Sequence, residues 1–402
     1  MSAALDGELW CTNILHLPPE LIHSILEHTD GVSLAHAEAT CRAFREQVYS
    51  SDVWRAAVLN RWGWLLHAGP ARGAWRDLFV RLHAGSHACF RVVGGCALEG
   101  EGFLPEEDLS ATFSFSPNRL AWTSTPAPVE VREMAAVVRA ADGALVAMGG
   151  TSMEFDPEMG RMSMRTLASV ELFDEGSWSA LPAMQEARCC HGGGVDRRAL
   201  IYAVGGGESM FRGAACFKTV ERYDPAAEAW SVAPSMLEAR CGLGAAISHS
   251  TDRLFAFGGY AGDTHYLSSC EALDLSAAAG GDARWAALPP MSCARAGCGA
   301  ATGPDGRVYV VGGGPDGTKV HRSIEALDPR TQAWDTSLAQ SHVGRHYNAC
   351  AFGPDGMLYV SGAFRHDGQL DAVERYDLRA DKWQRLAGIE FVVKFSSGAF
   401  TF

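Results

Sequence analysis

The sequence predicts a small all-α module at the N-terminus, followed by a larger all-β domain of six repeated units. Three observations predict this. Six Trp, at 122, 178, 230, 285, 334 and 383, stand 49 to 56 residues apart. Gly-Gly pairs begin at 94, 149, 205, 258 and 312, and Gly362-Ala363 continues their series. Upstream of residue 84 the apolar residues instead recur every three or four positions, as on a helix face. Self-similarity at a period near 50 residues is the mark of a repeat architecture.

Each unit reads as four short strands. A small-residue strand comes first: CGLGAAI at 241–247, AGCGAAT at 296–302 and SSGAF at 396–400. Wedge-shaped sheets meeting round an axis leave little room there, which suits Gly, Ala, Ser and Cys. The second strand is a short apolar run ending in Gly-Gly, such as LIYAV or RLFAF. The third carries Glu-x-x-Asp, as in ERYDP at 221 and EALDP at 325, and the fourth carries the Trp. Pro-Asp-Gly at 304–306 and 354–356 supplies turns between the first two strands. The first unit lacks an inner strand before Gly94, and TFSFSP at 112–117 stands where the acidic third strand is expected. The tail KFSSGAFTF looks like the missing strand, so residues 395–402 are expected to complete the first unit and remove exposed sheet edges.

The N-terminal module is expected over residues 15–62, after a tail at 1–14 and before a helical linker at 63–85. HLPPELIHSILEH offers Leu17, Leu21, Ile22, Ile25 and Leu26, with Pro18 and Pro19 at a helix start. Leu34, Ala37, Cys41, Phe44 and Val48 make a second helical face, with Ser33 as its N-cap.

Composition narrows the function classes. The chain has 402 residues, 47% hydrophobic and 20% charged, which is ordinary for a globular protein. A net charge of −13 argues against a broad phosphate-binding surface, so neither nucleic acid nor a membrane is expected as a partner. No stretch has the roughly 18 apolar residues of a membrane helix, and the first residues lack a basic-then-apolar leader pattern. The 12 Cys show no C-x-x-C, and the 14 His show no metal spacing. Buried free thiols in cytosol or nucleus are expected, without metal or cofactor. There is no P-loop, no G-x-S-x-G and no H-E-x-x-H. HGGG at 191–194 falls in an inner strand and reads as small residues at the crowded axis.

The order apolar run, Gly-Gly, Glu-x-Tyr-Asp and Trp over residues 86–402 resembles the kelch repeat. That resemblance implies a six-bladed kelch β-propeller closed by its C-terminal strand. LPPEL, CRAFREQV and SDVWR resemble the F-box, although small residues at Ala37 and Ala39 stand where that family more often has larger ones. The resemblance implies docking on a Skp-type adaptor of a cullin-RING ubiquitin ligase. Leu17, Pro18, Leu21, Ile22 and Ile25 would make most of those contacts.

A basic residue precedes each inner strand, and Arg188, Arg240, Arg295 and Arg345 should gather at one mouth of the channel. There they either grip an acidic protein segment or bond to neighbouring loop carbonyls or a Glu of an adjacent blade. By analogy with the family, the loops between second and third strands open on the same mouth. They bring Phe211, Arg212, Tyr260, His265, Phe364, Arg365 and His366 as candidates for binding a substrate protein. The expectation is a substrate receptor of an F-box ligase that itself catalyses nothing. The alternatives are a kelch scaffold without ligase role, or a propeller enzyme such as a sugar epimerase or an oxidase.

Overall fold

The computed structural model describes residues 128–386, except 157–160, 175, 210–212, 263–264, 277–282, 316–318, 354–355 and 363–372, together with the backbone of strands lying between 89 and 125 and between 392 and 401. The expected helices of residues 16–83 lie outside the described residues. The chain divides into two compact units, Met1–His87 with Phe402, and Ala88–Thr401.

The second unit is a β-propeller built from antiparallel four-stranded sheets. Sheet 2 holds Ala136–Arg139, Leu145–Met148, Val170–Asp174 and Ser177–Leu181. Sheet 3 holds Gly192–Val195, Ile201–Val204, Val220–Asp224 and Ala229–Ala233. Sheet 4 holds Gly244–Ser248, Arg253–Phe257, Cys270–Asp274 and Trp285–Leu288. Sheet 5 holds Ala296–Thr302, Val308–Gly314, Ile324–Leu327 and Trp334–Asp335. Sheet 6 holds Ala349–Phe352, Leu358–Ser361, Glu374–Asp377 and Lys382–Arg385.

Five blades are thus described with their side chains, against the six expected. A further four-stranded sheet, sheet 1, is described by backbone pairing alone. In it Ser397–Thr401 pairs antiparallel with Cys89–Val93, which pairs in turn with Thr112–Ser116, followed by Ala121–Thr125. Ser397–Thr401 lies beside the inner strands of sheets 6 and 2. Two small additions were not anticipated from the repeat pattern. A hairpin of Thr151–Asp156 and Arg161–Thr166 extends the loop between the second and third strands of sheet 2. Val392–Lys394 pairs with Cys96–Glu99, which pairs with Gly102–Phe103.

The core lies between the blades. Val204, Val220 and Met236 of sheet 3 pack with Ile247, Leu254, Leu273 and Trp285 on the sheet 4 side. The same layering joins sheets 2 and 3 through Met148, Met184 and Ile201, and sheets 4 and 5 through Phe257, Met291 and Val310. The second strands read as unbroken apolar runs because both of their faces are covered, as in LVAM and IYAV, buried at every residue. Crowding at the axis explains the small inner strands: a Cβ on Gly192 would fall 2.4 Å from that of Ala245 in the next blade.

Each segment that crosses from the rim of one blade to the axis of the next is held by the blade it enters. The indole Nε1 of Trp230 donates to Pro182 O at 2.7 Å, that of Trp285 to Pro234 O at 2.8 Å, and that of Trp334 to Pro289 O at 2.9 Å. Trp383 does the same with Ala339 O at 2.8 Å, so over sheets 3 to 6 the Trp period is the period of these rim bonds. At the other end, the Gly-Gly pair accepts the crossover closely. Gly258 has φ +58°, and a Cβ there would stand 2.2 Å from Arg295 O. Gly258→Ala is expected to destabilise the propeller by about 2–4 kcal/mol, adding a backbone clash to the left-handed strain. Gly213→Ala has φ +85° but open space around it, and should cost only about 1–2 kcal/mol. Thermal denaturation of the two variants checks this.

Candidate functional site

The crossovers and the loops between second and third strands share one face, and the arginines organise it. Arg188 donates to Gly205 O at 2.7 Å and Thr219 O at 3.2 Å, and pairs with Glu221 at 2.8 Å. Arg240 repeats this with Gly258 O at 2.8 Å, Ser269 O at 2.9 Å and Glu271 at 2.8 Å. Arg295 does so with Gly312 O at 2.7 Å and Glu325 at 2.7 Å, and Arg345 with Gly362 O at 3.0 Å and Glu374 at 3.1 Å. Arg132 bonds Gly149 O at 2.9 Å and also Glu171.

These contacts correct the expectation of an exposed ring of forks. Arg188, Arg240, Arg295 and Arg345 are 0–3% exposed. A guanidinium inside a protein needs its donors satisfied, and loop carbonyls and a carboxylate take the terminal nitrogens here, while Nε reaches the glutamate in Arg240 and Arg295 but not in Arg188. The Glu is on the Arg's own blade, not an adjacent one. The adjacent blade is reached by the main chain instead. Arg188 O accepts from Gly150 N at 2.9 Å, Arg240 O from Gly206 N at 2.8 Å, and Arg295 O from Gly259 N at 2.7 Å. For Glu325, burial raises the pKa, but the Ser292 amide and Arg295 outweigh it and hold the carboxyl below its ordinary range.

The same carboxylates hold up a display position three residues before each Arg. The main-chain N–H of Val129, Gln185, Leu237, Ser292 and His342 donates to the Glu of its blade at 2.6, 2.7, 2.7, 2.9 and 2.9 Å. The backbone is fixed in every one of these blades, while the side chains differ in how far they are held: Ser292 Oγ and His342 Nδ1 also bond the glutamate, at 2.8 and 2.7 Å, and Gln185 Nε2 donates to Trp230 O at 3.3 Å. Val129 is 82% exposed and Leu237 60%. His265 is exposed beside Glu238, with Nε2 3.8 Å from the carboxylate. Tyr260 is half-buried, and its main chain bridges Cys241 with bonds of 2.8 and 2.9 Å. Phe211, Arg212, Phe364, Arg365 and His366 lie outside the described residues, as do Leu17, Pro18, Leu21, Ile22 and Ile25.

Closer to the axis, the residue two positions after each Arg takes a left-handed backbone. Met134, Cys190, Gly242, Gly297 and Tyr347 have φ of 53°, 52°, 67°, 63° and 55°. Their amides climb from blade to blade. Cys190 N donates to Met134 O at 3.0 Å, Gly242 N to Cys190 O at 2.8 Å, Gly297 N to Gly242 O at 2.7 Å, and Tyr347 N to Gly297 O at 2.7 Å. This staircase rings an axial cavity of about 70 Å³ into which His191 and Asn348 also face. Burial, then the charges of Arg188 and Arg132, hold His191 well below its ordinary pKa, so the ring is neutral. The sequence reading missed the staircase. Its signal was Gly242 and Gly297 at one repeat position, with Met134, Cys190 and Tyr347 in the other units.

Two family models match the sequence, F-box-like over residues 14–60 and the KLHDC2/KLHL20/DRC7 Kelch-repeats domain over residues 195–393. The chain carries an F-box-like segment and a kelch-repeat domain. Kelch-like protein 34 of Homo sapiens is 32% identical over 186 residues, 43% of this chain and 26% of that protein. An F-box/kelch-repeat protein of Arabidopsis thaliana is 29% identical over 232 residues, 54% of this chain and 52% of its own length. The chain thus spans about a quarter and about half of these two curated relatives. The solved structure of YjhT superposes with a TM-score of 0.58 at 17% identity, covering 73% of this chain and 97% of that one, which is a likeness of fold.

The buried pairs of the kelch domain predict a specific energetic pattern. Arg240→Met leaves Glu271 charged and unpaired, and is expected to cost about 3–5 kcal/mol. Adding Glu271→Gln should return part of that loss, with a coupling of roughly 1–3 kcal/mol in a double-mutant cycle followed by urea denaturation. A pH effect follows from His191. The native ring stays neutral, whereas the unfolded chain takes up a proton as pH falls below about 6.5. Its contribution to stability is complete above that value and declines below it. His191→Asn should therefore flatten the fall in melting temperature between about pH 7 and pH 5.5 relative to the parent.

Proposed function

We propose that the chain is the substrate-recognition subunit of a cullin-RING ubiquitin ligase of the SCF type, acting in cytosol or nucleus. The F-box-like segment joined to a kelch domain carries this reading. Leu17, Pro18, Leu21, Ile22 and Ile25 dock on the Skp-type adaptor, and the kelch domain holds a substrate protein. Proximity is then the chain's contribution, since it raises the effective concentration of substrate lysines near the conjugating enzyme. Catalysis by the chain itself is not part of the proposal. The axial cavity, about 70 Å³, is several-fold smaller than the roughly 300–1,000 Å³ of pockets that take small molecules.

We further infer that sheet 1 is a sixth blade, so that residues 86–402 form one ring. The flanking of Ser397–Thr401 by the inner strands of sheets 6 and 2 supports this. The substrate face is then drawn from the display positions Val129, Gln185, Leu237, Ser292 and His342, together with Tyr260, His265 and the loops carrying Phe211, Arg212, Phe364, Arg365 and His366. Exposed apolar side chains on a rigid frame are the common anchors of protein recognition.

Co-purification tests both halves. The parent protein should bring down the Skp-type adaptor, and Leu17→Ala with Pro18→Ala should not. Val129→Asp with Leu237→Asp should lose substrate proteins while adaptor binding persists. A parent protein that recovers no adaptor overturns the ligase reading in favour of a kelch scaffold.

A further inference from the structure

Sheets 3 and 4 bring four thiols together beside the staircase. Cys189 and Cys190 end the crossover into sheet 3, Cys216 sits on the loop between its second and third strands, and Cys241 sits on the crossover into sheet 4. Gly207 pairs antiparallel with Cys189 on one side and Cys216 on the other. Residues paired across strands share a face, so these three lie abreast. A Cβ on Gly207 would stand 3.3 Å from the Cys241 sulfur. The missing side chain is therefore what lets the Cys241 thiol sit over this short ladder. Cys189, Cys190 and Cys241 form one buried cluster, with Cys216 and Tyr260 packed against it.

We propose that Cys241 and Cys216 form a hydroperoxide-sensitive pair, a modification site at which oxidation ties the 205–219 loop of sheet 3 to the crossover of sheet 4. The inference is independent of adaptor docking and substrate binding.

The two thiols have unlike surroundings. Cys241 is 0% exposed, while Cys216 is half-buried and gives a small oxidant its approach. Hydrogen bonds from Cys190 and Cys216 hold the Cys241 thiol below its ordinary pKa, against the effect of burial. Hydrogen bonding to Cys241, then burial, pushes the Cys216 thiol up. We assign Cys241, enclosed in the cluster, the part of nucleophile and Cys216, at its half-buried edge, that of resolving thiol. Cys190 suits that second role less well. Its main chain is tied into the staircase on both sides, and its sulfur lies 3.1 Å from Met134 Sδ. A metal is not the better reading, because no group of three or more His, Cys, Asp or Glu is placed to hold one among the described residues.

The chemistry balances in two steps. The Cys241 thiolate attacks one peroxide oxygen. The S–O bond forms, the O–O bond breaks, and the departing hydroxide takes up the thiol's proton as water. The Cys216 thiol then gives up its proton and attacks the sulfenic sulfur. The S–S bond forms, the S–O bond breaks, and the second hydroxide leaves as water. Two electrons pass from the thiols to hydrogen peroxide.

The experiment treats the full chain with hydrogen peroxide, digests it without reductant and maps linked peptides by mass spectrometry. A Cys216–Cys241 link, lost on adding dithiothreitol, is expected. In Cys216→Ser, Cys241 should instead be trapped as a sulfenic acid by dimedone. Its labelling should exceed that of Cys270 by about tenfold, since burial raises the Cys270 thiol to about 12. A link through Cys190 or Cys189, or thiols that stay reduced while Cys293 oxidises, overturns the proposal. The mapping of the unmutated protein decides this whether or not the variant folds.

Discussion

The described blades depend on one arginine each, and Arg188, Arg240, Arg295 and Arg345 each serve two blades at once. Its guanidinium is spent on its own blade, on a glycine carbonyl and a buried glutamate. Its carbonyl is spent on the blade before, on the second glycine of the pair. A bond of either kind alone would leave each crossover free to shift relative to one neighbour. Together they set the distance and the rotation between successive wedges. The desolvation of so many charges is large, and the carboxylate and carbonyl partners of each guanidinium are what offset it. The rim indole bonds and the apolar layers between blades then act on sheets whose relative positions are already defined.

This arrangement explains which parts of the molecule were legible in the sequence. Trp, Gly-Gly and Glu-x-x-Asp recur because each has a fixed task in most units, so the repeat, the four-strand order and the small inner strands could be read directly. The pairing of residues could not. Arg188 and Glu221 are 33 residues apart, and nothing local indicates that they meet. An arginine that recurs beside a loop looks the same in sequence whether it faces solvent or a buried carboxylate. Burial decides between the two, and burial is a property of the assembled sheets. The acidic motif was likewise divided by the fold. Asp224 caps a turn by accepting from Ala226 N at 2.9 Å, as expected of such residues, while Glu221 lies inside as the partner of Arg188.

The axial staircase was hidden for a different reason. Left-handed backbone is cheap for Gly242 and Gly297 but strained for Met134, Cys190 and Tyr347, and a glycine pattern interrupted three times does not stand out. The strain is offset by the amide bonds from blade to blade, a compensation visible only once the ring is formed. The thiols beside it escaped notice for the same reason. Cys189, Cys216 and Cys241 are scattered along the chain and become neighbours through Gly207.

The glutamate that seats each display position grips the main chain, and above Glu171 and Glu271 it leaves the side chains of Val129 and Leu237 exposed. Evolution can therefore exchange Val129 or Leu237, whose side chains stand exposed, with little consequence for folding, whereas Ser292 and His342 add a side-chain bond to the same glutamate. Stability and selectivity are thereby uncoupled at the first two positions. One framework can be re-addressed to new partners by point changes at its crown, without retooling the wheel beneath.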